Sequence, residues 1–422
     1  MDNSKPTTSI EDENDEDEFA LLGDPVEVIE LDSSTANAAP VEEPFDDLDL
    51  DHGDNLNDDE DESDQMEQTE LEDDDALILF NKHEKSKSVF CLSVDPSTST
   101  KVISGGEDDK CFLWKIADGE TLCEYNNFQD SIIDCCFSFD SKYVCAGDMG
   151  GQLRCWDVNS KEEIWSFHTG SDIELLRFHP SAHILLCGTN DSQLWLFKIP
   201  SGEYKTMHGA TDKSLLTLSI LSNGKQCICG YGSGQIKMWD LKQCQTVWQY
   251  DPTTTDDNNQ IISMCVNDEN SLVACGSTDV TCRIINITNG KLLTLFNCFL
   301  EEDEKVDNSV ESVTFGGENL LICGTVIGHL FIWDVNSKQI RTRINTNSGI
   351  VKCISDSTSL YTACLDGHIK LFDVRNGELL KEWKSGGGND CQILNMVITN
   401  DKQHILCSYS QGTCRIFKTN KT

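Results

Sequence analysis

From about residue 76 onward, short apolar runs alternate with polar turns, and none approaches the ~20 apolar residues that a membrane-spanning helix needs. The pattern repeats as a unit. An alternating strand, such as Ile132 to Phe137, leads through a turn to a strand of small residues. A tight Gly/Asp turn follows, then a strand ending in an aromatic residue, then an outer strand. The aromatic residue, or an Ile in its place, marks each unit. It falls at Trp114, Trp156, Phe197, Trp239, Ile285, Trp333, Phe372 and Phe417, with successive spacings of 42, 41, 42, 46, 48, 39 and 45 residues.

Four strands per unit at a period of ~40–45 residues is the mark of a β-propeller blade. The pattern therefore predicts an all-β propeller over residues 75–422, with eight blades. The last unit is short: after Lys418 only Thr419 to Thr422 remain, too few for an outer strand. The run Ala76-Leu77-Ile78-Leu79-Phe80 precedes the first unit and lacks a partner, so it is expected to complete the eighth blade and seal the ring. Seven blades remain the alternative if the fifth unit, marked by Ile285-Asn286, or the eighth is not a true blade.

Charge divides the chain in a second way. Lys and Arg total 32 against 73 Asp and Glu, a formal net charge of -41. Residues 1–75 hold 31 of the acids and a single Lys, so residues 1–74 are expected to form a disordered acidic tail. Within it, Val26-Glu27-Val28-Ile29-Glu30-Leu31-Asp32 could add a strand to a sheet edge of another protein. The acid excess excludes a protein built to grip a nucleic-acid backbone, which needs a Lys/Arg surplus. An N-terminus acidic from Glu11 onward is the opposite of a secretory or mitochondrial leader. With 21 Cys, an odd number, reduced thiols in the cytoplasm or nucleus are expected rather than a disulfide framework.

The cysteines fit the repeat better than they fit chemistry. Ten residues before the marker stand Cys187, Cys229, Cys275, Cys323 and Cys407, with Ser104, Ala146 and Thr362 in the other blades. A slot that takes only these residues is a tight interior site. No Cys-x-x-Cys pair supports a zinc site. Gly230-Tyr231-Gly232-Ser233-Gly234 resembles a phosphate cradle but leads into a strand. His179 and His183 have the spacing of a helical zinc pair, but sit with Pro180 in a turn. No nucleophile–base pair can be proposed, so neither an enzyme, a metal nor a cofactor is expected.

The turns before the marker strand carry Asp108, Asp191, Asp279 and Asp366, expected to bind backbone N–H groups within the turn. In the WD-repeat family, which these units resemble, such an Asp commonly ties its turn to a His in the loop leading into the blade. Those His are largely missing, with Phe128 in that place in blade 2 and His83 and His168 only near it, which puts the usual hydrogen-bonded tetrad in doubt. On the propeller face that gathers these turns fall Glu107, Asp109, Asp130, Asp148, Asp172, Glu174 and Glu311, with the inserted loop Glu301-Glu302-Asp303-Glu304 beside blade 6. Carboxylates from several blades would focus a negative potential toward a cationic partner.

The body resembles the WD-repeat family, and within it the angio-associated migratory cell protein group, which includes a fungal ribosome-assembly chaperone. The resemblance rests on Ser88-Val89-Phe90-Cys91, Gly105 to Lys110, Gly147-Asp148-Met149, Lys161-Glu162-Glu163 with Trp165-Ser166-Phe167, Trp239 to Lys242, Asn308 to Ser312 and the tail motif Val28 to Asp32. It implies a propeller that captures the basic N-terminal segment of a large-subunit ribosomal protein and assists ribosome assembly. Such a protein would work as a monomer, without direct nucleic-acid contact or membrane insertion. The alternative it implies is a cytoplasmic signalling scaffold in cell migration and angiogenesis.

Overall fold

The computed structural model describes residues 74–209, 213–252, 259–300, 306–317, 319–356, 358–386 and 391–419. The acidic tail with its Val26–Asp32 motif, and the loop Glu301–Glu304, lie outside these residues. Eight antiparallel sheets of four strands are present, in unbroken chain order except for the last. The innermost strands of blades 1 to 8 are Val89–Val94, Ile132–Phe137, Ile173–Phe178, Leu215–Ile220, Ile261–Val266, Val310–Gly316, Ile350–Asp356 and Ile393–Ile398. Each packs against the innermost strands of both neighbours, including blade 8 against blade 1, so the ring is closed around a central channel. The fifth unit is a full blade, which settles the count at eight.

Closure uses the N-terminal strand. Ile78–Phe80 pairs antiparallel with Cys414–Lys418, in the register Ile78 to Ile416, Leu79 to Arg415 and Phe80 to Cys414. Strand alternation sorts the side chains: Phe80 is 2% exposed, whereas Leu77 and Leu79 stay largely in solvent. Phe80 stacks on Trp114 of blade 1, with ring centroids 4.4 Å apart and planes 7° from parallel. It thus joins blade 8 to blade 1. Elsewhere the blades interlock through the small-residue strands: a Cβ on Gly105 would sit 2.5 Å from Ile132 of the next blade, and one on Gly230 2.5 Å from Ile261.

The slot ten residues before each marker is fully buried in all eight blades, as its composition requires. One cysteine pair departs from the expectation of thiols throughout. Cys145 and Cys155 face each other across adjacent strands of blade 2 and form a disulfide, while the other nineteen cysteines form none.

Among the described residues the tetrad is present once. His83 binds Asp108 at 3.0 Å through Nδ1 and the Ser104 hydroxyl at 2.9 Å through Nε2, and Trp114 Nε1 donates to the same hydroxyl at 3.1 Å. The loop before blade 1 therefore does supply the missing His. In blades 2, 4, 5, 7 and 8 a cation two residues before the marker fills the corresponding space: Arg154, Lys237, Arg283, Lys370 and Arg415. Arg283 pairs with Asp279, Lys370 lies 3.5 Å from Asp366, and Lys237 lies over the rings of Tyr231 and Trp239. Arg415 Nε is 2.9 Å from the buried Asp74 carboxylate, which fixes where the chain enters the ring, at the seam of blades 7 and 8. Of the four turn aspartates, Asp279 and Asp366 accept backbone N–H groups within their turns as expected, from Thr281 and His368, whereas Asp108 accepts the Glu84 N–H from the loop before blade 1. Asp191 likewise accepts the Gln193 N–H, together with the Thr189 hydroxyl and the Gln193 side-chain amide.

Candidate partner-binding face

Antiparallel order places three parts of every blade at one end of the ring: the loop leading into the innermost strand, the start of that strand, and the turn between the second and third strands. All seven candidate carboxylates occur in these parts. The ring end brings four of them together at blades 1 and 2. Asp109, held in a left-handed conformation at φ 57°, has its carboxyl raised above the ordinary value first by burial, then by the charges of Asp130, Asp108 and Asp148, against a smaller pull from Lys87. Glu107 is better satisfied. It accepts the Ser88 N–H at 3.0 Å and lies 3.3 Å from Lys87 Nζ, and these two hold its carboxyl below the ordinary value. Asp130 is exposed and accepts the Ser131 N–H at 2.7 Å.

Asp148 does not present its carboxylate to a partner. It is 0% exposed and accepts the backbone N–H groups of Gln152 at 2.7 Å and Gln129 at 3.3 Å, tying together two segments of its own blade. An Asp at the start of a tight turn is consumed by that turn, so Asp148 contributes charge to the face and no contact. Asp172 stands exposed beside blade 3, where the Asn190 amide donates to it at 2.7 Å.

Glu174 and Glu311 occupy a position that the linear pattern does not single out. Every innermost strand carries a β-bulge at its second residue. The bulged residues are Phe90, Ile133, Glu174, Leu216, Ile262, Glu311, Val351 and Leu394, and all are half-buried. A bulge re-aims one side chain out of the sheet; repeated eight times, it makes a ring of six apolar side chains and two carboxylates around the channel mouth. Doublets such as Ile132-Ile133, Leu215-Leu216 and Ile261-Ile262 were the available signal, since a half-buried strand without a bulge does not place two apolar residues side by side. Glu311 accepts the Ser309 hydroxyl. Glu174 and Asp109 have no hydrogen-bond donor among the described residues.

Deeper along the same strands the sign changes. Arg177 Nη1 pairs with Asp134 at 2.7 Å and also donates to the Leu176 carbonyl. Lys352 donates to Asn395 at 2.8 Å, and burial, then the charge of Arg177, push its ammonium down to about 8 despite the opposing charge of Asp134. At this depth Asp134 is matched by Arg177 and Lys352, so the uncompensated acid lies nearer the mouth. His179 and His183 are used separately, His179 on the Gly224 carbonyl and His183 on Asp140, and no group of three or more metal-ligating side chains occurs among the described residues.

Comparison with known proteins agrees with this architecture. The WD40 family (WD domain, G-beta repeat) matches residues 76–115 and 119–157. Human angio-associated migratory cell protein is 35% identical over 355 residues, covering 82% of this chain and 80% of the relative. The chain belongs to the angio-associated migratory cell protein family of WD-repeat proteins. Ribosome assembly protein SQT1 of Saccharomyces cerevisiae is 23% identical over 417 residues, 87% of this chain and 92% of that protein. The crystal structure of S. cerevisiae Sqt1 superposes with a TM-score of 0.74 at 19% identity, covering 83% of this chain and all of that one. Chaetomium thermophilum Sqt1 bound to the N-terminus of ribosomal protein L10 superposes with a TM-score of 0.73 at 18% identity, covering 82% and 100%. At these identities the structural likeness concerns the fold.

Proposed function

We propose that this family member is a non-enzymatic chaperone whose channel mouth holds the basic N-terminal segment of a large-subunit ribosomal protein before assembly, in the cytoplasm or nucleus. The observation that carries the reading is the mouth itself: six apolar bulge residues interrupted by Glu174 and Glu311, and flanked by a carboxylate group in which Asp109 is crowded by like charges. Carboxylates that outnumber the single Lys87 beside them lose repulsion when a further cation arrives, and the apolar ring supplies the desolvated anchoring that surface ion pairs at ~0–1 kcal/mol each cannot. The relationship to SQT1, a ribosome assembly protein, and the bound ribosomal-protein N-terminus in its C. thermophilum counterpart support the same client class. The protein acts as a monomer on a protein segment, without gripping nucleic acid.

The test is binding of a labelled basic ribosomal-protein N-terminal peptide to the full chain at several salt concentrations. Affinity should fall steeply with salt, and the double change Asp109→Lys/Glu174→Lys should weaken it by about tenfold or more, roughly 1.4 kcal/mol. Affinity indifferent to salt would sink the mechanism. The identity to human angio-associated migratory cell protein favours a second reading, a signalling scaffold. Affinity capture separates the two: recovery of an unassembled ribosomal protein supports the chaperone, and recovery of receptors or their regulators with no ribosomal protein supports the scaffold.

A further inference from the structure

The outer rim of the ring is not electrically uniform. Seven outer strands run Thr121–Tyr125, Glu163–His168, Tyr204–His208, Gln245–Tyr250, Leu292–Asn297, Gln339–Asn345 and Leu379–Trp383, and Ile78–Phe80 is the eighth. Over blades 5 to 7 the outer strands and the turns before them, residues 287–298, 335–346 and 374–386, carry seven Lys or Arg against two Glu. In blade 1 the corresponding residues 116–127 carry three acids and no cation. Blade 6 is the centre of the strip: its outer strand holds Arg341 and Arg343 with no acid, and Arg343 has no hydrogen bond or ion pair among the described residues. The strip is also apolar. Leu293 and Leu295 of blade 5, Ile340 of blade 6 and Leu379 and Leu380 of blade 7 are each 45–53% exposed. Arg341 lies near enough to Asp334 for its charge to act on that carboxyl, which leaves Arg343 as the unopposed cation of an outer strand that also exposes aliphatic side chains and has no partner on its free edge among the described residues.

We propose that the partner is this chain's own segment Val26–Asp32, which lies extended along the free edge of the blade 6 outer strand. The complementarity is in the two sequences. Val-Glu-Val-Ile-Glu-Leu-Asp offers four aliphatic and three acidic side chains to Gln-Ile-Arg-Thr-Arg-Ile-Asn. Extended pairing would set carboxylates against Arg341 and Arg343 and aliphatic side chains against Ile340 and its flanking leucines. The bulge at Arg341 interrupts the edge there, so backbone pairing is confined to Thr342–Asn345 and the remainder is side-chain contact. Reach is no obstacle. The chain enters the ring at Asp74, and Asp75 is bonded to Lys384 at the end of the blade 7 outer strand, one blade away from the site. The 41 residues between Asp32 and Asp74 can span up to about 140 Å. Tethering at this distance gives an effective concentration in the millimolar range, so contacts too weak to hold a free peptide still fill the site. The channel mouth repels an acidic segment, and blade 1 has an acidic outer rim.

Hydrogen exchange on the full chain, read by mass spectrometry, tests this. Val26–Asp32 and Thr342–Asn345 should exchange at least tenfold more slowly than an unprotected chain. Arg341→Glu/Arg343→Glu should abolish the protection in both segments, and adding Glu30→Arg/Asp32→Arg, the two acids on one face of the extended segment, to that variant should restore it. Arg341 and Arg343 are exposed, and an unchanged unfolding midpoint confirms that the ring is intact. The proposal is overturned if Val26–Asp32 exchanges at the unprotected rate in the wild-type chain, or if the charge-swapped variant fails to recover protection. It is equally overturned if protection grows with protein concentration, which would make the occupant a second copy. Loss of poly(U) RNA binding in Arg341→Glu/Arg343→Glu, with no tail protection in the wild type, would assign the strip to nucleic acid instead.

Discussion

Truncating Phe80 to Ala should destabilise the ring more than any other single change in the closing strand. The side chain is 2% exposed, stacks on Trp114 at 4.4 Å, and meets Phe112 and His83 edge-on at 5.8 and 6.2 Å. A buried Phe to Ala change costs about 3–5 kcal/mol through lost transfer energy and the cavity left behind. The aromatic stacking adds about 0.5–1.5 kcal/mol beyond area. A value near the top of the range is expected, because Trp114 and His83 are fixed by the tetrad and cannot collapse into the gap. Leu79→Ala is the internal control. It lies one residue away in the same strand but 40% exposed, so its cost should stay within about 0.5 kcal/mol. Urea unfolding followed by tryptophan fluorescence measures both. If Phe80→Ala costs no more than Leu79→Ala, the strand is not what holds blade 8 to blade 1, and the account of closure fails.

Three further outcomes follow from the charges. Asp108→Asn should cost about 1–3 kcal/mol by disrupting a buried hydrogen-bond network. Burial alone would raise the Asp108 carboxyl, but the hydrogen bond and charge of His83 and the Glu84 N–H hold it below 3.8. Its stabilisation is therefore complete above about pH 4 and is lost as pH falls through the folded-state value, so mutant and wild type should converge in acid denaturant titrations. Asp109→Asn should do the reverse at neutral pH, gaining a few tenths of a kcal/mol while weakening basic-peptide binding, with the gain vanishing at acid pH where Asp109 is protonated. A concurrent loss of stability and binding would mean that Asp109 is structural. Lys352 is held near 8 in the folded state against 10.5 ordinarily, so the unfolded chain binds the extra proton between these values. Wild-type stability should accordingly rise from pH 8 to pH 10 relative to Lys352→Met; parallel profiles would show that the ammonium is not perturbed.

The ring was legible because its signals are local and repeated. The marker residue, the small-residue slot ten positions before it and the orphan run ending in Phe80 each report a packing requirement that recurs once per blade, and eight weak signals in register become one strong one. What sequence could not convey is where a side chain is aimed. Asp148 and Asp109 both stand in turns between second and third strands, yet one is swallowed by backbone N–H groups and the other left without a donor. His83 looked misplaced because the loop before blade 1 sets its own path, and only coordinates show Nδ1 reaching Asp108. The bulge ring was hidden for a related reason, since one inserted residue turns a core position into a channel-mouth position without altering composition.

The distribution of charge bears on how an acidic mouth and an acidic tail can belong to one chain. At physiological ionic strength charges separated by more than about 8 Å are largely screened, so the 31 acids of residues 1–75 affect a client only if they come close to it. Were the whole segment free to gather at the mouth, it would compete with Glu174, Asp109 and Asp130 for the same cationic side chains and slow delivery. Anchoring Val26–Asp32 on the basic strip of blade 6 would hold part of the acid away from the mouth and leave the remainder able to raise the encounter rate. The consequence is measurable in rates rather than affinity. Arg341→Glu/Arg343→Glu, which leaves the mouth intact, should change the association rate of a basic peptide and its salt dependence while leaving dissociation nearly unaltered, as expected for charges outside the contact. A change confined to dissociation would show that the tail contacts the bound peptide directly, and the two acidic regions would then have to be treated as one site.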